Sequence, residues 1–214
     1  MSWFVCFMSS CQTALAQGRY RWRHDIVLRE LADTLEWERG KKRNAKKKAC
    51  PAINFVKEGQ TGKKTKAPTT SILDESDCLE MKVELGKQLV YPNIIQSAQR
   101  PDIVIWSPND RKLVMVELTV PLETICEEAC ERKMAKYTEL QEQCRSRGWS
   151  TWLFPVEIGC RGFPAQSLWR MLGTAGIEAG DRKRAVWRLG QAAEKESNWL
   201  WMKREKSWSL TTGP

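Results

Sequence analysis

Two short apolar runs joined by a strong turn constrain this chain more than any other feature. Residues 102–106 (Asp-Ile-Val-Ile-Trp) and 113–120 (Leu-Val-Met-Val-Glu-Leu-Thr-Val) flank Ser107-Pro-Asn-Asp-Arg111. Runs of β-branched residues bounded by Pro, Asn and Asp read as the strands of a hairpin. Alternation places Leu113, Met115, Glu117 and Thr119 on one face of the second strand. Val114, Val116, Leu118 and Val120 occupy the other face. Both faces are apolar, so the strand should be covered on both sides. A turn centred between Asn109 and Asp110 sets Asp102 opposite Glu117, with Cβ atoms about 5 Å apart. Two carboxylates that close in an apolar setting repel each other. One can be protonated, a basic side chain can sit between them, or a divalent cation can; hard oxygen ligands suit Mg²⁺ or Mn²⁺.

The elements around the hairpin follow from period and punctuation. Tyr20, His24, Val27, Leu31 and Leu35 recur at helical spacing, so residues 19–40 read as an amphipathic helix with His24 as a core or boundary residue. Residues 82–91 alternate as a strand. Residues 122–148 read as a long helix that Gly148 stops, and 149–158 as a strand in which Pro155 suggests an edge or irregular position. Two helices complete the chain, 164–172 and 181–206. The expected fold class is α/β (α+β), a mixed sheet with a central hairpin flanked by helices.

On the long helix, Cys126, Cys130, Lys133, Tyr137, Leu140 and Cys144 share one face. Lys133 lies near the centre of that stripe, where a lysine is costly unless it meets a carboxylate. It is expected to point at Asp102 and Glu117, with Lys136 displaced toward the polar flank. A buried structural ion pair and an active site both accommodate these three inward charges.

Charge and cysteine usage narrow the function classes. The 214 residues carry a net charge of +9, which favours a polyanion such as nucleic acid over an anionic membrane surface. No run is apolar and long enough to span a bilayer, so no membrane partner is expected. Seven cations fall in residues 39–48: Arg39, Lys41, Lys42, Arg43, Lys46, Lys47 and Lys48. Such a block reads as a solvated, flexible arm, a phosphate-binding segment or a nuclear-import signal. Gly62-Lys63-Lys64-Thr65 lacks the upstream glycine and the Ser/Thr placement of a phosphate-binding loop, so nucleotide binding is not expected there. The eight cysteines form no C-x-x-C pair and His24 is remote from them, so no zinc site is expected and free buried thiols are favoured. Residues 3–8 and Ala14-Leu15-Ala16 imitate parts of a signal peptide without its basic start, which leaves a secreted cysteine-containing protein as the least favoured class. Eleven Trp are present; Trp187, Trp199, Trp201 and Trp208 are expected to dock the last helix rather than stack on bases.

Arg100-Pro-Asp102, fourteen residues, then Glu117-Leu-Thr119 resembles the P-D…(D/E)-x-K pattern of the restriction-endonuclease-like superfamily, with Thr119 where that pattern has Lys. A nearer resemblance is to the endonuclease domain of site-specific non-LTR retrotransposons, whose lysine sits on the following helix in a K-x-x-K-Y-like context. Here that is Lys133-Met-Ala-Lys136-Tyr137. Residues 19–28 also resemble sequences that precede such domains. The resemblance implies a restriction-endonuclease-like core and a DNA endonuclease dependent on Mg²⁺ or Mn²⁺. It implies Asp102, Glu117 and the Leu118 carbonyl as metal ligands, with Glu84 (or Glu30) as a further acidic ligand. Lys133 would be the catalytic lysine, with Lys136 second to it. Arg100 and the basic block would contact DNA, a reverse transcriptase would belong to the parent element, and the location would be nuclear or cytoplasmic. The alternative is an inactive nucleic-acid-binding remnant of the same fold. The expected organisation is a leader (1–18), the amphipathic helix (19–40), a basic linker (41–78), an endonuclease-like core (79–160) and C-terminal helices (161–214).

Overall fold

A computed structural model describes residues 11–48, 71–73, 79–85, 94–95 and 97–206. A one-turn helix α1 (Gln12–Ala16) leads into the long helix α2 (Arg19–Lys48). Strands β1 (Glu80–Val83), β2 (Ile103–Ser107) and β3 (Lys112–Thr119) follow. A 3₁₀ turn (Glu123–Ile125) enters α3 (Cys126–Ser146), then come β4 (Ser150–Glu157), α4 (Gln166–Thr174) and α5 (Ala179–Met202). The fold is mixed α and β, with one four-stranded mixed sheet flanked by helices.

The sheet order is β1-β2-β3-β4; β1/β2 and β2/β3 are antiparallel and β3/β4 is parallel. The hairpin has the register that the sequence predicts. Ile103 pairs with Val116 and Ser107 with Lys112, leaving a four-residue loop. Asp102 therefore stands one step beyond the last pair, level with Glu117. Arg111 closes the loop with a positive φ of 49°. Pro155 lies on the edge strand, where only one side of β4 needs to hydrogen-bond. Gly148, at φ 79°, ends α3 as expected.

Both faces of β3 are covered, as its double apolar pattern requires. One face packs Leu113 and Met115 against Tyr137, Leu140 and Cys144 of α3. The other packs Val114, Val116 and Leu118 against Val27, Leu28, Leu31 and Leu35 of α2, with α4 and α5 completing the layer. Leu31 is fully buried there. Leu31→Ala is expected to cost about 3 kcal/mol, read as a lower midpoint of urea unfolding.

Several expectations are corrected. The helix of residues 19–40 continues to Lys48, so a flexible linker does not begin at residue 41. The start of that extension is paired with acidic partners: Lys41 Nζ lies 3.2 Å from Asp181 and 3.6 Å from Glu178, both on or next to the start of α5. Lys42 donates to Ser71 Oγ at 2.5 Å and to the Ala175 carbonyl at 2.9 Å. Arg39 holds Glu36 at 2.7 Å and also donates to the Leu79 carbonyl. Acceptors contributed by distant segments thus hold Arg39, Lys41 and Lys42, the start of the charge run, against the rest of the fold. Arg43 is exposed; the side chains of Lys46, Lys47 and Lys48 lie outside the described residues. So do the leader up to residue 10 and residues 57–66. The strand expected over residues 82–91 instead begins at Glu80 and ends at Val83, with Glu84 and Leu85 outside it; residues 86–91 lie outside the described residues. Trp199 and Trp201 pack inward, Trp199 stacking on Trp22 at 4.7 Å, whereas Trp187, expected to help dock the helix, is 66% exposed. Trp208 lies outside the described residues. Five cysteines, Cys11, Cys126, Cys130, Cys144 and Cys160, are free thiols.

Candidate active site

The C-terminal end of β3 opens into a cleft of about 560 Å³. Strand ends are where a sheet leaves main-chain groups and side chains free to meet a ligand. Asp102, Glu117 and Glu84 supply its acidic groups, while Lys133, Lys136, Arg21, Arg23, His24 and Arg100 surround them. The main chain and side chains from Leu118 to Val120 form part of its wall.

Glu117 is 3% exposed and its two oxygens have different partners. Lys133 Nζ lies 2.5 Å from Oε1, and Lys136 Nζ lies 3.4 Å from the same atom. The Asp102 amide donates to Oε2 at 3.2 Å, with the Tyr137 hydroxyl 2.9 Å away. That hydroxyl is also 2.9 Å from the Arg100 carbonyl, so it donates to one acceptor at a time, and it accepts from Lys136 at 2.7 Å. Burial, then the Glu117 charge, push the Tyr137 phenol far above its ordinary range, which keeps it a donor. Helical spacing placed Lys133 on the inward face, and the structure puts it on Glu117. Lys136 also reaches Glu117 from the flank, because its long stem bends back over Tyr137.

Asp102 is 6% exposed. Its Oδ2 accepts from the Leu118 amide at 2.8 Å and lies 3.1 Å from His24 Nε2. Its Oδ1 accepts no hydrogen bond among the described residues. Of the three ways to relieve the acid pair, the structure uses basic side chains, one set on each carboxylate. Glu84 is 4% exposed, lines the cleft, and donates its amide to the Asp102 carbonyl at 2.7 Å. Glu30, the alternative acidic residue, instead pairs with Arg188 of α5 at 2.8 Å and does not line the cleft.

The sequence reading missed His24, Asp25 and Arg21. His24 bridges two carboxylates, Asp102 through Nε2 and Asp25 through Nδ1, each at 3.1 Å. Arg21 Nε backs Asp25 at 2.8 Å. Arg23 ties the same helix face to the Val120 carbonyl at 2.8 Å. The available signal was the density of charge in Arg19-Tyr-Arg-Trp-Arg-His-Asp25, unusual on a stripe that otherwise faces a core.

Burial works against a charged His24, but hydrogen bonds to Asp102 and Asp25 and their charges outweigh it and raise its pKa from 6.5 to about 9. Because the folded value exceeds the unfolded one, the contribution to stability is complete below about pH 6.5 and is lost as pH rises through about 9. The thermal midpoint of the wild type should therefore fall by several degrees across that window. In His24→Gln the fall should be much smaller, which a pair of melting series reads directly.

Hard oxygens in a cleft suit Mg²⁺ or Mn²⁺, and Mg²⁺ commonly takes only one or two carboxylates and keeps several waters. Asp102 Oδ1 fits that role, as does Glu117 once Lys133 yields. Among the described residues no group of three or more His, Cys, Asp or Glu gathers closely enough to hold a metal ion by itself. No protein-family model matches the chain, and no curated protein matches it significantly.

Proposed function

We propose that the chain is a divalent-cation-dependent DNA endonuclease of the restriction-endonuclease-like type that nicks its target. The observation that carries this reading is the convergence of Asp102 and Glu117 at the end of one hairpin, with Lys133 of the next helix on Glu117, in a cleft rich in cations. The hairpin motif and the Lys133-Met-Ala-Lys136-Tyr137 helix motif support an origin in the endonuclease region of a retrotransposon, and with it a nuclear location and a former reverse-transcriptase partner.

Asp102, Glu117 and the Leu118 main chain would hold the cation, with Glu84 as a further acidic ligand. When bound, Mg²⁺ polarises the scissile phosphate and lowers the pKa of an attacking water. Lys133 and Lys136 place two ammonium groups where negative charge develops on the phosphoryl oxygens. Arg21 and Arg100 bring charge to the flanking phosphates of the same strand. His24 keeps Asp102 Oδ2 engaged and leaves Oδ1 toward the cleft. Among the described residues no helix is long and apolar enough to cross a membrane.

A non-catalytic nucleic-acid-binding module is the second reading. It is favoured by one feature: both oxygens of Glu117 are committed to protein donors. Relaxation of supercoiled plasmid by the purified full chain with Mg²⁺, set against an Asp102 variant, separates the two.

A further inference from the structure

Beside the acid pair, two buried acceptors stand without donors. Thr119 Oγ1 and Glu157 Oε1 have no hydrogen-bond partner among the described residues. Buried polar atoms are nearly always paired, so two such atoms in one place call for a physical reason. They belong to register partners: Thr119 pairs with Glu157 across the parallel β3/β4 ladder. Their side chains therefore lie side by side on one face of the sheet. It is the face of Glu117, two residues before Thr119, and thus the face that α3 covers.

Glu157 is 1% exposed, and Ser167 Oγ donates to its Oε2 at 2.5 Å. Burial pushes its carboxyl upward, while contacts with Ser167 and Cys130 and the charge of Lys133 pull it down. Cys130 and Lys133 are neighbours one turn apart on α3. The lysine on Glu117 is therefore also a cation whose charge acts on the unfilled Glu157 seat.

A divalent cation on Asp102 and Glu117 would sit beside the Lys133 ammonium, now 2.5 Å from Glu117 Oε1. Like charges at that range repel strongly in a buried site. The ammonium needs another anionic seat, and it carries three donors to fill one. We propose that Lys133 has two seats: Glu117 when the acid pair holds no cation, and Thr119 Oγ1 with Glu157 Oε1 when a divalent cation is bound. Glu157 then acts as a positioning residue, the counter-ion that lets Lys133 release Glu117 and still stay over the cleft. This inference rests on the cation-dependent reading above and identifies what makes room for the cation.

Mn²⁺ binding to the full-length chain, followed by the electron paramagnetic resonance signal of the free ion, tests it without reference to activity. Glu157→Gln keeps the shape and removes the charge, and should weaken Mn²⁺ binding about tenfold. Lys133→Met removes the competing cation and should bind Mn²⁺ at least as tightly as the wild type. The double variant should match Lys133→Met, because without the lysine its second seat has no use. Thr119→Val should weaken binding in the same direction by a smaller factor, and carries the test if circular dichroism shows Glu157→Gln unfolded. Two results overturn the proposal: wild-type affinity in Glu157→Gln, or an undiminished tenfold loss when Glu157→Gln is added to Lys133→Met. A wild type that binds no Mn²⁺ overturns the cation-dependent reading itself, and the second seat with it.

Discussion

Asp102→Asn is expected to lower Mg²⁺-dependent nicking by about a thousandfold or more while the fold survives. Asparagine keeps the shape of the side chain and an oxygen for the Leu118 amide, which donates to Asp102 at 2.8 Å in the wild type. What it removes is the charge that would make Oδ1 a ligand for a hard cation. It also removes one of the two anions that face His24, so the imidazole should lose its proton at a lower pH. Asp102→Ala would combine lost catalysis with an uncapped buried amide and an unpaired buried histidine, a far less informative change. Plasmid relaxation over a Mg²⁺ series, with melting curves alongside, reads both consequences. DNA binding by Asp102→Asn should fall steeply with salt as in the wild type, since the cations that would meet phosphates are untouched.

The second large effect concerns α2. A fragment beginning at residue 79, which carries the sheet, α3 and the acid pair, is expected not to fold. Val27, Leu28, Leu31 and Leu35 are at most 1% exposed and cover one face of the hairpin. Each such side chain contributes about 1.5–3 kcal/mol on burial. Losing four together removes an amount comparable to the roughly 5–15 kcal/mol that holds an ordinary domain. The fragment would also lose His24 from Asp102 and Arg23 from the Val120 carbonyl. Circular dichroism during urea unfolding should show no cooperative transition for residues 79–206, against a clear one for the full chain. A cooperative transition in the fragment would show that α2 is an accessory rather than part of the core.

This dependence also explains what could be read in advance. The hairpin register was legible because a single turn and strict alternation set it, and both are local. Lys133 was legible because helical spacing alone puts it on the inward stripe. His24 was not: its partner Asp102 lies 78 residues away, and no periodicity links a helix to a strand end at that separation. The helical state of residues 41–48 was hidden for the same reason. The acidic residues that accept Lys41, Glu178 and Asp181, come from the far end of the chain. Glu157 fell in an expected strand and carried no motif; only the β3/β4 ladder shows that it stands beside Thr119. Local pattern thus gave the hairpin, the long helix with Lys133 and the acid pair, whereas the side of the cleft that α2 closes required long-range pairing.

The central claim is that Asp102, Glu117 and Lys133 form a catalytic centre rather than a structural ion pair. Incubating the purified full chain with supercoiled plasmid at low salt, with and without Mg²⁺, tests it most directly. The account predicts open-circular product with Mg²⁺, none after chelation, and none from Asp102→Asn in either condition. Plasmid left supercoiled by the wild type with both Mg²⁺ and Mn²⁺ would contradict it.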